Sequence, residues 1–229
     1  MPKQLPLNPQ RRTLLLRALA GGLCIAGSRH GQLFAATAQS PMEEGQSLYQ
    51  LQGEVAVNQQ AATPGTVIKP DDHIRTGSRS RVIFVVGENA FLLRENSELQ
   101  FTGRPQSTAD SQTQERANWV DSLRLASGAL LAVFGKNFRQ ASTSTAVAGI
   151  RGTGLYLEST PQRSYICTCY GHTQISAADD PESRIDIISQ HHNARYIYAE
   201  GIHSERITKA PFINHKDSEL VLLESLVGR

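Results

Sequence analysis

Short apolar segments separated by turn residues run through the first half of the chain. Residues 82–86 are Val-Ile-Phe-Val-Val, too few for a helix and rich in β-branched side chains, so they predict a strand buried on both faces. The polar residues 87–89 predict a turn into a second apolar strand at 90–93. Residues 98–101, Glu-Leu-Gln-Phe, alternate polar and apolar positions as a half-buried strand does.

The same pattern resumes after a polar interval. Residues 102–118 contain Pro105 and many Ser, Thr and Gln residues, and they predict an exposed excursion. Apolar positions return at Leu123 and Leu125 and in the run 129–134, which the turn residues Gly-Lys-Asn then end. Several short strands at close spacing indicate an all-β sandwich or roll.

One helix is predicted near the C-terminus, at residues 218–227. Asp217 is expected to cap it, Gly228 to end it, and its apolar stripe is formed by Leu220, Leu223 and Val227. The fold prediction is therefore a mainly β domain over residues 45–177 followed by this single helix. Its core is expected to contain Phe84, Leu92, Leu130 and Val133.

The N-terminal residues 1–38 have the pattern of a signal peptide. They hold five basic residues and no Asp or Glu, followed by a short apolar run at 18–27 and the small-x-small cleavage pattern of residues 36–38. The run is far shorter than the roughly 18 apolar residues of a membrane-spanning helix, so a permanent anchor is disfavoured. Arg11-Arg12 followed by leucines is similar to a twin-arginine signal, which predicts export of a folded protein to the periplasm of a Gram-negative bacterium. An ordinary secretory signal is the alternative.

Removal of residues 1–38 changes the charge of the chain. The full sequence has 23 basic and 21 acidic residues, and the mature part keeps 18 basic and 21 acidic residues, a net charge of −3. A nucleic acid or an anionic membrane is therefore excluded as an electrostatic partner. About 190 residues remain, enough for one domain with a real core and an extension.

Five motifs in a fixed order carry a family resemblance. They are Asp-His-Ile-Arg-Thr-Gly-Ser-Arg-Ser at 72–80, the apolar strand ending at Gly87, Ala-Phe-Leu-Leu-Arg-Glu-Asn-Ser at 90–97, Ser-Gly-Ala-Leu at 127–130, and Thr-Ala-Val-Ala-Gly-Ile-Arg-Gly-Thr-Gly at 145–154. In this order and spacing they resemble the FecR domain over about residues 45–160.

This resemblance implies a FecR-like β-sandwich or roll that serves as a non-catalytic binding or regulatory module. The founding member of the family is a periplasmic sensor that relays an iron-siderophore signal through the inner membrane to a sigma factor. The implied partner of this chain is a periplasmic protein or a small ligand. The remaining residues, 161–229, form a C-terminal extension.

The glycine-rich segment at 149–154 has two interpretations. Gly149, Gly152 and Gly154 lack the spacing of a dinucleotide-binding turn, and the following residues return to strand periodicity. The favoured interpretation is structural, with glycines allowing close backbone approach at a bend or bulge. Within this segment, Arg151 is either a buried cation or a cation that faces a ligand.

Motifs of common enzymes are missing from the sequence. There is no Gly-x-Ser-x-Gly elbow, no His-Glu-x-x-His and no phosphate-binding Gly-x-x-x-x-Gly-Lys-[Ser/Thr]. Catalysis therefore ranks below binding, and an enzyme of unknown reaction is the third hypothesis.

The C-terminal extension carries the most distinctive chemistry. Residues 165–171, Tyr-Ile-Cys-Thr-Cys-Tyr-Gly, have strand periodicity, which places Cys167 and Cys169 on one face. Histidines follow at positions 172, 191, 192, 203 and 215. The Cys-x-Cys-Tyr-Gly run, the His-His pair and the Asn-His-x-Asp run resemble the extension of a subset of FecR-domain proteins.

Thiolates and imidazoles together suit zinc or copper. The metal hypothesis combines both thiols with some of the three histidines of the later motifs; the candidate ligands are Cys167, Cys169, His191, His192 and His215. Two residues of strand separate Cα atoms by roughly 6.6 Å, near the outer limit for a relaxed disulfide. A strained, redox-active disulfide and a pair of buried thiols beside unrelated histidines are the alternatives.

Overall fold

The computed structural model describes residues 47–103 and 120–229. Within them, one sheet of fourteen strands and a single helix account for the regular structure. The elements are β1 Leu48–Gln52, β2 Val55–Val57, β3 Gln60–Ala61, β4 His73–Thr76, β5 Arg81–Val86, β6 Asn89–Leu93, β7 Glu98–Gly103, β8 Val120–Val133, β9 Gln140–Ser142, β10 Ala146–Ser159, β11 Arg163–Ala177, β12 Arg184–Ser189, β13 Asn193–Tyr198, β14 Ile207–Ala210 and α1 Asp217–Leu226.

Three long strands, β8, β10 and β11, form the middle of the sheet. β10 and β11 are an antiparallel hairpin that pairs from Ala146 opposite Ala177 to Ser159 opposite Ser164. β8 pairs with β10 along its second half, while its first half pairs with β7 and, in parallel, with β9. The same side of β11 carries β13 at one end and β12 at the other.

Several strands of the sheet are buried on both faces, and their side chains form two separate apolar clusters, called the main core and the second core below. In β5, Val82, Phe84 and Val86 belong to the main core, whereas Ile83 and Val85 belong to the second core. The two-residue period of a strand causes this alternation, since successive side chains point to opposite faces. The second core comprises Ile83, Val85, Ala90, Leu92, Leu131, Val133, Tyr156, Tyr165, Cys167, Cys169, Ala194, Leu220, Leu223 and Leu226.

The main core is rich in aromatic side chains. The rings of Phe84 and Phe91 stack at 5.1 Å, and Phe101 meets both edge-on at 6.0 and 5.2 Å. Pairs of this geometry add stability beyond the apolar area that they bury.

The C-terminal helix covers the second core. Leu220, Leu223 and Leu226 are its buried residues, so Leu226 occupies the place that the sequence assigned to Val227. Asp217 is the first helical residue rather than the cap, because the cap position is held by Lys216. The amide of Lys216 donates to Glu219 Oε2 at 3.0 Å.

The mainly β fold with one C-terminal helix is confirmed, and so is the predicted core. Phe84 and Leu130 lie in the main core, and Leu92 and Val133 lie in the second core, all at most 3% exposed. The predicted signal at 1–38 and nearly all of the predicted excursion at 102–118 fall outside the described residues. Where the chain is described, none of the helices is long and apolar enough to cross a membrane.

Truncation of a main-core residue should cost far more than truncation of an exposed apolar residue. Leu130→Ala is expected to lower the free energy of unfolding by about 2–5 kcal/mol, because the fully buried side chain leaves a cavity. Ile188→Ala, at a side chain 79% exposed on β12, should change it by less than about 0.5 kcal/mol. Urea titration of both variants measures the difference, and equal midpoints would contradict this assignment of the core.

Candidate metal centre

Strand β11 brings two thiols into the second core. Tyr165, Cys167 and Cys169 occupy alternate positions of β11 and all belong to this cluster, which confirms that the two cysteines share a face. Their side chains are 0% and 2% exposed, and both are free thiols.

Two histidines from distant parts of the chain join these thiols. His192 stands between β12 and β13, and His215 lies two residues before α1. One ligand atom of each of the four residues lies within 4.8 Å of the corresponding atom of every other. This group, called the Cys/His cluster below, consists of Cys167, Cys169, His192 and His215.

The polar partners of the two imidazoles fix which ring nitrogen faces the cluster. Nδ1 of His215 lies 2.7 Å from the carbonyl oxygen of Ile213, which can only accept, so Nδ1 carries the proton and Nε2 keeps its lone pair. Nε2 of His192 lies 2.7 Å from Oδ1 of Asp217 and donates to this carboxylate, which leaves the lone pair on Nδ1. Hydrogen bonds of this kind orient metal-binding histidines.

The distances within the cluster suit a tetrahedral cation. His215 Nε2 lies 3.4 Å from Cys169 Sγ and 3.3 Å from His192 Nδ1, which in turn is 3.7 Å from Cys167 Sγ. Bonds of about 2.3 Å to sulfur and about 2.0–2.1 Å to nitrogen place tetrahedral S and N ligands about 3.6 Å apart and two N ligands about 3.3 Å apart. These three distances match those between ligands of a bound zinc ion, and all four donor atoms lie within 4.8 Å of one another.

Aromatic rings enclose the cluster. Tyr156 stacks on the His215 ring at 4.4 Å with an interplanar angle of 21°. Phe212 packs against His192 at 4.1 Å and against His215 at 4.6 Å, with half of its own surface exposed. Apolar walls of this kind limit the access of water to a bound cation.

The two thiols differ in acidity. The adjacent side chain of Cys169 lowers the pKa of Cys167 to about 5 in spite of its burial. The same contact with Cys167 and the burial of the thiol raise the pKa of Cys169. Cys167 is thus the member of the pair that loses its proton first, and a thiolate is the form that binds metals.

The structure does not bring His191 into the cluster. Its side chain is exposed, whereas the next residue, His192, points inward at 14% exposure. Neighbouring residues at a strand entry face opposite sides, so only one member of the His-His pair can reach the thiols. Of the other late histidines, His172 bonds to Asp186 on the surface and His203 bonds to its own loop.

The glycine-rich segment forms a bulge between β10 and β11. Two residues of β10, Gly152 and Thr153, stand opposite the single Gly171, and the register shifts there. Gly171 has a φ of +92°, and a Cβ on it would lie 2.6 Å from the carbonyl oxygen of Gly152. Arg151 is exposed beside this bulge.

Gly154 has no side chain, and the space next to it is filled by the ring of Tyr170 and by Leu220 of α1. A Cβ on it would lie 2.5 Å from the ring of Tyr170 and 3.1 Å from Leu220 of α1. Gly149 has no such neighbour, since its nearest contacts are at 3.8 Å. The bulge and the tight fit at Gly154 support the structural interpretation of this segment.

The sequence predicts only a capping role for Asp217. Its hydrogen bond with His192 becomes evident only in the folded structure. The Asn-His-x-Asp spacing was the available signal, because it places the carboxylate two residues after His215.

Asp217→Ala should weaken zinc binding about 10–100-fold, since the His192 ring loses the acceptor that orients it. Asp186→Ala is the matched control, because it removes a comparable exposed carboxylate from His172, which lies outside the cluster. Competition with a chromophoric chelator measures both affinities. Equal affinities in the two variants would show that Asp217 does not support the site.

Comparison with known proteins gives a distant match in fold. No family model and no curated protein matches the chain. Two crystal structures of a “putative anti-sigma factor” from Parabacteroides distasonis are similar, each with a TM-score of 0.44 and 10% sequence identity. The match covers 60% of this chain and 58% of that chain, so it spans less than two thirds of the neighbour. A likeness at this level does not establish a shared function.

Proposed function

We propose that this chain is an exported regulatory or binding protein that holds one zinc ion at the Cys/His cluster. The observation that carries the proposal is the convergence of two thiols and two correctly oriented imidazoles from three separate segments. Exposed residues can lie close together by chance. These four side chains are instead largely buried, at most 14% exposed. Buried polar groups of this kind require a partner, and a cation satisfies all four at once.

Zinc fits the site better than copper(II) does. A tetrahedral set of two sulfurs and two nitrogens is typical of zinc, whereas copper(II) prefers tetragonal nitrogen and oxygen ligands. Copper binds such ligands more tightly in general, so the supply of metal during folding also decides the occupant. Export of an already folded chain would let the zinc enter before the thiols meet an oxidising compartment.

The proposed ion has a structural role. Four protein ligands complete a tetrahedral shell and leave no position for water or a substrate, which distinguishes a structural site from a catalytic one. This arrangement gives the ion itself no catalytic role. The regulatory part of the proposal rests on the resemblance of residues 45–160 to the FecR domain, with a periplasmic protein or a small ligand as the partner.

Metal analysis of the exported chain tests the proposal. The protein is reduced and loaded with zinc, and gel filtration then removes the excess ion. Elemental analysis by mass spectrometry measures the metal that remains bound. We expect one zinc per chain, and replacement by cobalt should give the visible absorption of a tetrahedral thiolate site. A chain that retains no stoichiometric metal would refute the proposal. A mass lower by two hydrogens before reduction would favour the disulfide alternative.

Export is tested separately from metal binding. Changing both Arg11 and Arg12 to Lys should abolish transport, because the twin-arginine pathway reads this pair in its signal. The periplasmic fraction should then lack the form cleaved after Ala38, which intact-mass measurement detects. Unchanged export of the double variant would instead identify an ordinary secretory signal.

A further inference from the structure

The Cys/His cluster joins the sheet to the end of the chain. Two ligands belong to β11 and one to the turn before β13, whereas His215 belongs to residues 211–229, called the C-terminal segment below. We propose that the bound cation acts as a clasp: loading fastens the C-terminal segment over the second core, and removal releases it. This inference rests on the proposed zinc site.

The C-terminal segment contributes twice to the cluster. His215 supplies one ligand, and Asp217 holds the ring of His192, which stands on the sheet side. Opening of the segment with an ion bound would therefore remove one ligand and the support of a second. Loss of a residue that only hydrogen-bonds to a metal ligand reduces metal affinity about 10–100-fold. Loss of a direct ligand should reduce the affinity at least as much.

The contacts of the segment that do not involve the ion include the packing of the three buried leucines of α1 into the second core and a hydrogen bond from Asn214 Nδ2 to Glu158 Oε1 at 2.7 Å. Near its start, the Tyr165 hydroxyl donates to the carbonyl of Pro211 at 2.9 Å. At its end, the guanidinium of Arg229 donates to the backbone oxygens of Phe134 and Glu88, both at 2.9 Å. One ion pair, between Arg94 and Glu219, lies between them and is about a quarter exposed. Because it is partly buried, this pair also holds the segment, whereas a fully exposed pair would contribute little.

Without an ion, the middle of the segment is held at the cluster by the hydrogen bond from His192 to Asp217 and by one weak contact of His215. The sulfur of Cys169 and the nearest ring nitrogen of His215 are 3.4 Å apart, a weak thiol hydrogen bond. Opening exchanges this weak contact for water, so the main resistance to opening without an ion comes from the burial of the α1 leucines. A C-terminal element that contacts its domain on one side only can open by itself while the sheet stays folded.

The surface below the segment is apolar. Ile83, Leu92, Leu131 and Val133 belong to the second core together with the three buried leucines of α1. None of these four strand residues is more than 4% exposed. Release of the segment would expose this face of β5, β6 and β8. The proposed clasp thus makes access to an apolar face of the sheet depend on cation loading.

Hydrogen exchange on the full exported chain tests the clasp. Peptides from residues 211–229 should exchange at least about 10–100-fold more slowly with zinc than after chelation, following the ligand costs given above. Peptides from β4 and β7, which border the main core, should exchange equally in both states. His215→Gln should remove the effect of zinc on the segment, whereas the exposed neighbour variant His191→Ala should keep it.

The possible failures are distinguishable. Stoichiometric zinc with unchanged exchange at 211–229 would overturn the clasp and leave the zinc site standing. Faster exchange throughout both cores after chelation would also overturn it, because the ion would then support the whole domain. Failure of the reduced chain to bind zinc would instead refute the proposed function on which the clasp rests.

Discussion

Cys169→Ser is expected to reduce the zinc content of the purified chain from one equivalent to a trace. The hydroxyl of serine stays protonated at neutral pH and is a poor ligand for zinc, so the tetrahedral shell loses a member inside an apolar enclosure. Cys167→Ser and His215→Gln should behave in the same way, because each supplies one of the four donor atoms. Elemental analysis after gel filtration measures the loss.

His191→Ala is the matched control for these ligand variants. It removes a histidine adjacent in sequence to His192, but the side chain is exposed and lies outside the cluster. The variant should retain one zinc per chain with unchanged affinity. Loss of zinc in His191→Ala, or its retention in Cys169→Ser, would contradict the assignment of the four ligands.

Chelation of the metal is expected to lower the thermal midpoint of the wild-type chain by about 8–16 °C. A ligand present at 1,000 times its dissociation constant stabilises the folded state by about 4.1 kcal/mol. In a domain of 150–250 residues each kcal/mol corresponds to about 2–4 °C. Calorimetry of the reduced protein, with zinc and with excess chelator, measures the difference.

The ligand variant Cys169→Ser supplies the control for chelation. Its midpoint should already be low, and chelator should not change it further, because no ion is bound at the site. An equal fall of the midpoint in wild type and variant would mean that the chelator acts elsewhere on the protein.

The part of the site that is local in sequence could be predicted from the sequence. Cys167 and Cys169 share a face because strand side chains alternate, and this alternation needs no knowledge of neighbouring strands. The burial of 82–86 on both faces followed from its continuous apolar run in the same way. The structure shows that the run alternates between two cores, one of which contains the thiols.

The choice among the histidines could not be made from the sequence. His191 and His192 are adjacent, and which of them faces inward depends on how the turn between β12 and β13 meets β11. The approach of His215 depends on where the C-terminal segment crosses the second core. Both depend on contacts between separate elements of the fold, which local periodicity does not encode.

The lengths of the central strands could not be predicted from the local sequence pattern either. Leu123, Leu125 and the run 129–134 indicated separate short strands, but residues Val120–Val133 form one strand. Gly128 lies within it at a φ of +86°, where a Cβ would clash with Ser97. Gly128 therefore sits at a bend inside a continuous strand.

X-ray absorption at the zinc edge of the loaded, reduced chain tests the central claim most directly, because it reports the atoms bound to the ion. We expect two sulfurs at about 2.3 Å and two imidazole nitrogens at about 2.0–2.1 Å. The sulfur contribution should fall to one in Cys167→Ser if any ion is retained. A shell made only of nitrogen and oxygen, or one of four sulfurs shared between two chains, would contradict the Cys/His cluster as the zinc site.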